Sequence, residues 1–230
     1  METMGAALGE FLEGVSGTPA TLIANSMGGL VAELHAASVP GDVSHLVLVS
    51  PATPPVWGDR TINWQIARRL LAQGLPGVGT FYLENYRRKT DPARQVADAL
   101  SIVCAHPERV PPEVVETSVQ LAAIRRRMPW SVEALVRSSR GIGWVWSRRE
   151  ALVETVRSIK APTLLLQGEL DQIVTTNAVR WLASLRPDWI YRHMPDTAHC
   201  PHLDAVETFL AEVEPWLASR FNDGHEAAVG

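Results

Sequence analysis

Three residues of the types that cooperate in nucleophilic catalysis stand far apart along the chain: Ser26, Asp171 and His199. A serine hydroxyl is a weak nucleophile until a neighbouring base takes its proton, and that base needs a carboxylate to orient it. Each of the three residues follows an apolar run, at the point where the run gives way to a loop. The set therefore predicts attack on a carbonyl carbon, with Ser26 as nucleophile, Asp171 as orienting acid and His199 as base.

The stretch around the serine has the spacing of a sharp strand-to-helix turn. It fits a small-x-Ser-x-Gly pattern, with Ala24 and Gly28 flanking Ser26. We expect both flanking residues to be small because the strand and helix backbones approach closely there. The turn forces Ser26 into a strained conformation, and the Met27 N–H then points at the oxyanion that develops on the substrate. An ordinary serine N-cap is the alternative for this motif alone.

Other polar residues near the histidine offer competing assignments. A metal site is one alternative, suggested by four residues: His193, His199, Cys200 and His202. Their spacing matches no usual zinc-ligand pattern, and His193 is expected within a strand. Asp196 is a rival acid, but it precedes His199 too closely to face it across a sheet. We therefore predict no metal and no cofactor.

Alternating strand and helix patterns predict the elements that position these residues. The runs TLIA and HLVLVSPA read as strands separated by a helix, and the second run is apolar on both faces, which is typical of parallel sheets. The remaining predictions are a first helix over residues 2–15, a strand over 163–167, a helix in VRWLASLRP, a strand ending near 194 and a closing helix in DAVETFLAEVEPWLASRF. The pattern predicts an α/β fold with a mostly parallel sheet.

The middle of the chain, residues 54–157, differs from the rest. It shows no clear strand, contains five of the eight tryptophans, and carries 16 Arg and Lys residues against 10 Asp and Glu residues. Segments such as INWQIARRLLAQGL have the apolar spacing of amphipathic helices. We predict a core formed by residues 1–53 and 158–221, a helical cap inserted over 54–157, and a disordered polar tail over 222–230.

Composition excludes several function classes. The net charge of −4 gives no reason to expect nucleic acid or a membrane as partner, and the N-terminus has no basic segment followed by an apolar run. Cys104 and Cys200 form no disulfide framework, so a reducing cytoplasm is the default location. The expected partner is a small-molecule substrate, and the oligomeric state is not predicted.

The segments NSMGG, PTLLLQGELDQIV and TAHCPHLDAVETF resemble the nucleophile, acid and histidine segments of the α/β-hydrolase superfamily. The resemblance covers most of the chain. It implies an α/β-hydrolase fold in which Ser26 is the nucleophile, Asp171 the acid and His199 the base. It also implies that the Met27 backbone N–H is an oxyanion donor and that residues 54–157 form the cap over the active site.

The chain departs from the family pattern at a few positions. Ala24 replaces the first glycine of the serine motif and Ala198 replaces the glycine before the histidine, and both replacements are small. His202 is an alternative base, but His199 occupies the family's position before x-Pro. In this family the nucleophile usually follows the fifth of eight strands, whereas Ser26 follows the first predicted one. We therefore expect an N-terminally truncated hydrolase with an unpaired first strand and without the loop that supplies the second oxyanion donor.

The predicted function is a serine hydrolase that cleaves a small or medium apolar carboxylic ester through an acyl-enzyme. One alternative is a carbon–carbon bond hydrolase of dienoate ring-fission products, because the NSMGG segment is similar to that of such enzymes. A second alternative is a non-catalytic ligand-binding module or an inactive remnant, since one fold supports many functions.

Overall fold

The computed structural model describes residues 1–16 and 19–227. Its centre is a four-stranded sheet in which every neighbouring pair is parallel and the spatial order is β1-β2-β3-β4. The strands are β1 (Ala20–Asn25), β2 (Val43–Val49), β3 (Thr163–Gly168) and β4 (Ile190–Met194). The helices are α1 (Glu2–Val15), α2 (Met27–Ser38), α3 (Trp64–Gly74), α4 (Val78–Lys89), α5 (Pro92–Val103), α6 (Pro112–Arg126), α7 (Ser131–Ser147), α8 (Arg149–Ser158), α9 (Thr176–Ser184), α10 (Pro201–Asp204) and α11 (Val206–Ala227).

The register of the sheet brings the ends of its strands to one edge. Asn25 at the end of β1 pairs with Val49, and Val49 pairs with Leu166 near the end of β3. Gly168 then pairs with Met194 at the end of β4. In a parallel sheet the segments that follow the strands leave from the same side, which is where α/β proteins place their functional groups. The segments after β1, β3 and β4 therefore meet above this edge.

Two apolar layers cover the sheet. On one face, the core includes Leu30 of α2, Leu48 of β2, Leu165 of β3 and Leu182 of α9. On the other face, strand residues such as Val47 and Leu166 pack against three residues of α11: Phe209, Val213 and Trp216. The strands are apolar on both faces because both faces are covered, as the sequence predicts for a parallel sheet.

Helix α8 belongs to the core, although its sequence falls almost entirely in the predicted cap. Its Leu152 and Val156 are buried in the same cluster as Leu30 of α2. An amphipathic pattern indicates that a helix buries one face but not which element it packs against. The predicted boundary at residue 157 consequently lies inside α8 rather than between the cap and the core.

Helices α3 to α7 make up the rest of the predicted cap region. Leu83, Val132 and Val136 form a small buried cluster between α4 and α7. Four of the five tryptophans of this region are more than half exposed: Trp57, Trp64, Trp130 and Trp144. The fifth, Trp146, is partly buried and its indole N–H donates to the Ala52 carbonyl at 2.9 Å.

Strand β1 and helix α11 test two further predictions, an unpaired first strand and a disordered C-terminal tail. Among the described strands β1 pairs only with β2, and its Ile23 is 52% exposed, so the first strand is an edge as expected. Helix α11 continues to Ala227, so residues 222–227 are helical where the sequence predicts a disordered tail. This part includes Asn, Asp and Gly, which disfavour helix, but it continues an existing helix, and adding residues to a helix needs no new nucleation. Residues 228–230 lie outside the described residues.

No helix in the described part of the chain has the length and apolar content needed to cross a membrane.

Candidate active site

Ser26 occupies the single residue between β1 and α2. Its backbone has φ 54° and ψ −121°, in the positive-φ region that costs energy for any residue with a side chain. The Ser26 N–H donates to the Val49 carbonyl at 3.0 Å, and the Ser26 carbonyl accepts from the N–H groups of Leu30 and Ala52. These hydrogen bonds from three segments hold the serine in the strained conformation that the sequence motif predicts.

The steric constraint at this turn falls on a different glycine from the expected one. A Cβ added to Gly28 would meet no described atom within 4 Å, so the expectation that Gly28 must be small is wrong. A Cβ on Gly29 would lie 2.8 Å from the Pro51 Cβ and 3.5 Å from the Ala24 carbonyl oxygen. Gly29 lies on the face of α2 that approaches β1 and the segment after β2, whereas Gly28 faces away from both.

Asp171 and His199 form a buried pair between the segments that follow β3 and β4. His199 Nδ1 and Asp171 Oδ2 are 2.8 Å apart, and the two side chains are 4% and 0% exposed. Because an ionised carboxylate only accepts, the Nδ1–H donates and the Nε2 lone pair is left to take a proton. The other carboxylate oxygen, Oδ1, accepts from the N–H groups of Ile173 and Val174 at 2.8 and 3.0 Å. The structure thus brings the predicted acid and base together.

Two residues at the end of β3 fix the position of the segment that carries Asp171. The buried Gln167 amide donates to the Val174 carbonyl at 2.9 Å, and it also lies 3.4 Å from Asp171 Oδ2. Gly168 passes so close to the neighbouring loop that an added Cβ would collide with the Ala198 carbonyl oxygen. The end of β3 therefore packs directly against the residue that precedes His199.

Asn25 connects the serine turn to the histidine segment. Its side-chain amide donates to the His199 carbonyl at 2.9 Å and to the Val49 carbonyl at 3.0 Å. Its Oδ1 lies 3.5 Å from the Cys200 thiol. The sequence gives no signal for this contact, because Asn25 and His199 lie 174 positions apart along the chain.

The serine hydroxyl itself forms no hydrogen bond with any residue that the structure describes, including His199. Catalytic hydrogen bonds are often long in the absence of substrate and tighten when one binds. Met27 is the first residue of α2, where a backbone N–H has no partner within the helix and carries the positive end of the helix dipole. The arrangement can therefore offer a hydroxyl, a base with its acid, and one N–H donor for an anion.

The rival residues are placed elsewhere. His202 is partly buried and contacts Phe209 edge-on at 6.0 Å between ring centroids, and its burial lowers the pKa of the imidazole. Asp196 pairs with His106 at 2.9 Å rather than with His199. His193 is exposed on β4. Within residues 1–16 and 19–227, no group of three or more His, Cys, Asp or Glu side chains is arranged to hold a metal ion.

Two cavities differ in their relation to this site. One of about 350 Å³ adjoins Asp171 and is lined by Thr61 and Thr175 among others. A larger groove of about 1480 Å³ lies between α1, α2 and α8, and it is lined by none of Ser26, Asp171 and His199. The smaller cavity is lined by Asp171 but by neither Ser26 nor His199, so neither cavity coincides with the candidate site.

Comparisons with known proteins agree with this architecture. A family model described as "Alpha/beta hydrolase family" matches residues 3–212. Similar solved structures include a provisionally assigned lipase of Acinetobacter baumannii, which is 21% identical with a TM-score of 0.71 over 96% of this chain and 68% of the other. An esterase of Thermogutta terrifontis is 20% identical with a TM-score of 0.59 over 88% of this chain and 66% of the other.

A third structure, the meta-cleavage product hydrolase CumD of Pseudomonas fluorescens, is 19% identical with a TM-score of 0.57. The match covers 90% of this chain and 66% of that hydrolase. The present chain thus spans about two thirds of the length of the structures it resembles. A search of curated proteins found no match.

Proposed function

This chain belongs to the alpha/beta hydrolase family, and we propose that it is a serine hydrolase that cleaves a small or medium apolar carboxylic ester. It is an enzyme of the hydrolase type. The observation that carries the proposal is the buried 2.8 Å contact of His199 with Asp171, at the strand edge where Ser26 sits in a strained turn.

The chemistry follows from the groups present. His199 Nε2 takes the proton from the Ser26 hydroxyl as its oxygen attacks the ester carbonyl carbon. Asp171 stabilises the imidazolium that forms and holds the ring by its Nδ1–H. The tetrahedral oxyanion accepts a hydrogen bond from the Met27 N–H. His199 then gives its proton to the departing alcohol, which leaves an acyl group on Ser26.

Water completes the cycle by the same steps. His199 takes a proton from the water as it attacks the acyl carbon, and the second tetrahedral species releases the carboxylic acid and the Ser26 hydroxyl. No metal or cofactor takes part in this scheme. The scheme is supported by the positions of Ser26, Asp171 and His199, which follow β1, β3 and β4 at the same end of the sheet.

Cleavage of a carbon–carbon bond in a dienoate ketone is a second candidate. It is supported by the likeness to a meta-cleavage product hydrolase and by the Asn25-Ser26-Met27-Gly28-Gly29 segment. The two candidates share Ser26, Asp171 and His199 but differ in the leaving group, which is an alcohol in one case and a carbon acid in the other.

Turnover of p-nitrophenyl acetate and butyrate by the wild-type chain and its Ser26→Ala variant tests the proposal. We expect the variant to lose nearly all turnover, because removing the nucleophile of such a set costs about 10⁶-fold in kcat. Equal rates would remove Ser26 from the mechanism. A dienoate ketone assayed by loss of its ultraviolet absorbance separates the candidates, since a carbon–carbon hydrolase consumes it faster than either ester.

A further inference from the structure

The segment that leads into the cap is bound to the segment that carries Asp171. Asp59 Oδ2 accepts a hydrogen bond from the Thr175 hydroxyl at 2.7 Å, and Asp59 Oδ1 accepts one from the Asn177 amide at 3.0 Å. Within its own segment, Oδ1 also accepts from the Thr61 N–H and hydroxyl at 2.9 and 2.7 Å. One carboxylate therefore receives four hydrogen bonds. Two of them come from Thr175 and Asn177, which follow Asp59 by 116 and 118 positions along the chain.

A second contact reinforces the same junction. Asn63 donates from its amide nitrogen to Gln172 Oε1 at 2.8 Å, and its Oδ1 accepts from the N–H groups of Gln65 and Ile66 at the start of α3. The first helix of the cap thus begins at a residue that is bound to the neighbour of Asp171. Asp59 and Asn63 together form hydrogen bonds with three residues of the segment 171–177: Gln172, Thr175 and Asn177.

The position of the Asp171 carboxylate depends on the far end of this segment. Asp171 Oδ1 is held by the N–H groups of Ile173 and Val174, which immediately precede Thr175. Thr175 in turn caps α9 by accepting from the Ala178 N–H at 3.2 Å. The Thr175 hydroxyl gives its one proton to Asp59, so Asp59 fixes the residue that ends the turn around Asp171.

We propose that Asp59 is a positioning residue for the catalytic acid: by holding Thr175 and Asn177 it keeps the Ile173 and Val174 N–H groups on Asp171, and so keeps Asp171 aimed at His199. The proposal rests on the proposed function of these two residues. It also links the cap to the site, because a displacement of the segment that leads into the cap displaces the anchor of the acid.

The charge state of Asp59 suits this role. Partial burial acts to raise the pKa of its carboxyl, but the hydrogen bonds from Thr61, Thr175 and Asn177 outweigh burial and lower the pKa to about 2. The anchor is therefore ionised over the whole pH range in which a histidine base titrates. An ionised acceptor also forms stronger hydrogen bonds than a neutral one.

Amide hydrogen exchange on the full chain tests the anchor without relying on activity. In Asp59→Ala we expect exchange at Ile173 and Val174 to become about tenfold faster, the size of one lost hydrogen bond, while β3 and α11 keep their wild-type rates. Asp59→Asn keeps one carbonyl acceptor. Its exchange rates at Ile173 and Val174 should therefore lie between those of the wild type and of Asp59→Ala. Asp91→Ala is the matched control, because Asp91 also accepts a backbone N–H but lies at the start of α5 in the cap.

Kinetics provide the second readout. Asp59→Ala should lower kcat for an ester by about ten- to a hundredfold with little change in KM, and it should move the acidic limb of the kcat/KM pH profile, because a misaligned Asp171 no longer supports the imidazolium. Asp59→Asn should recover part of the loss, because one of the two acceptor oxygens remains. Unchanged exchange at residues 173 and 174, or exchange that rises equally throughout the sheet, would overturn the proposal. Labelling of wild-type Ser26 by a fluorophosphonate reports on the proposed function separately.

Discussion

The side-chain amide of Asn25 donates to the backbone carbonyl of His199 at 2.9 Å and to that of Val49 at 3.0 Å. The residue beside Ser26 is thereby bound to the segment that carries His199 and to the neighbouring strand. One side chain sets the spacing between the serine turn and the histidine segment. Asn25 is consequently part of the candidate site together with Ser26, Asp171 and His199.

Replacing Asn25 with alanine should therefore damage the site more than the fold. The His199 carbonyl loses this donor, whereas the Val49 carbonyl keeps the Ser26 N–H, so we expect a cost of about 1–3 kcal/mol of stability. We expect ester kcat/KM to fall about 10- to 100-fold because the His199 segment is released. Urea unfolding and steady-state kinetics measure the two effects. Asn85→Ala on α4 is the matched control, and equal activity in both variants would show that the Asn25 amide does not position the histidine.

The two glycines after Met27 should respond oppositely to a methyl group. Gly29→Ala forces a Cβ against Pro51 at 2.8 Å, so we expect a loss of about 1–3 kcal/mol together with lower activity. Gly28→Ala meets no described atom within 4 Å and should be stabilised by up to about 1 kcal/mol, because alanine favours helix. Thermal melting of the two variants gives the comparison. A destabilised Gly28→Ala with an intact Gly29→Ala would contradict the observed packing of the turn.

Glu33 makes the stability of the chain depend on pH. It lies in α2 with 2% exposure, its Oε1 has no hydrogen-bond partner among the described residues, and burial raises its pKa to about 8. The folded state therefore holds a proton that the unfolded chain releases near pH 4.5, so this stability is present below pH 4.5 and is lost as the pH rises towards 8.

Glu33→Gln should remove that dependence. Between pH 5 and 7 the wild-type free energy of unfolding should fall by about 3 kcal/mol more than that of the variant, since each pKa unit corresponds to about 1.4 kcal/mol. Urea unfolding at the two pH values measures the difference. Glu154→Gln, at an exposed position of α8, is the control and should follow the wild type. Parallel curves for Glu33→Gln and the wild type would mean that Glu33 is not a buried neutral acid.

The two thiols should be inert in the native protein. Cys104 and Cys200 are both free and buried, and burial raises the pKa of each to about 12, with Asp204 adding to the effect at both. At pH 8 a thiol reagent should react on the order of 1,000-fold more slowly with the native chain than with the chain in guanidinium chloride. Rapid labelling of Cys200 in the native state would contradict this prediction. It would also make Cys200 a candidate nucleophile, because this thiol neighbours His199.

Much of the fold could be predicted from the sequence because its signals are local. The four apolar runs predicted the strands to within three residues, and the parallel register then placed the segments of Ser26, Asp171 and His199 at one edge. The assignment of α8 failed because its pattern shows that one face is buried but not which element covers it. Its Leu152 is buried in the same cluster as Leu30, which no periodicity could indicate.

The contacts that support the candidate site could not be predicted from the sequence. The hydrogen bonds of Asn25 with His199 and of Asp59 with Thr175 each join segments more than 100 positions apart. A polar residue of one loop has many possible partners in another, and only the three-dimensional arrangement selects among them. The crowding at Gly29 was missed for the same reason, since it arises from Pro51 on the next segment.

Covalent labelling by a fluorophosphonate probe tests the central claim most directly, because the probe reacts only with a hydroxyl that a neighbouring base has activated. The account predicts a single adduct on Ser26 in the wild-type chain, no adduct in Ser26→Ala, and labelling slowed by several orders of magnitude in His199→Ala. An adduct elsewhere, or equal labelling of the wild type and His199→Ala, would contradict it.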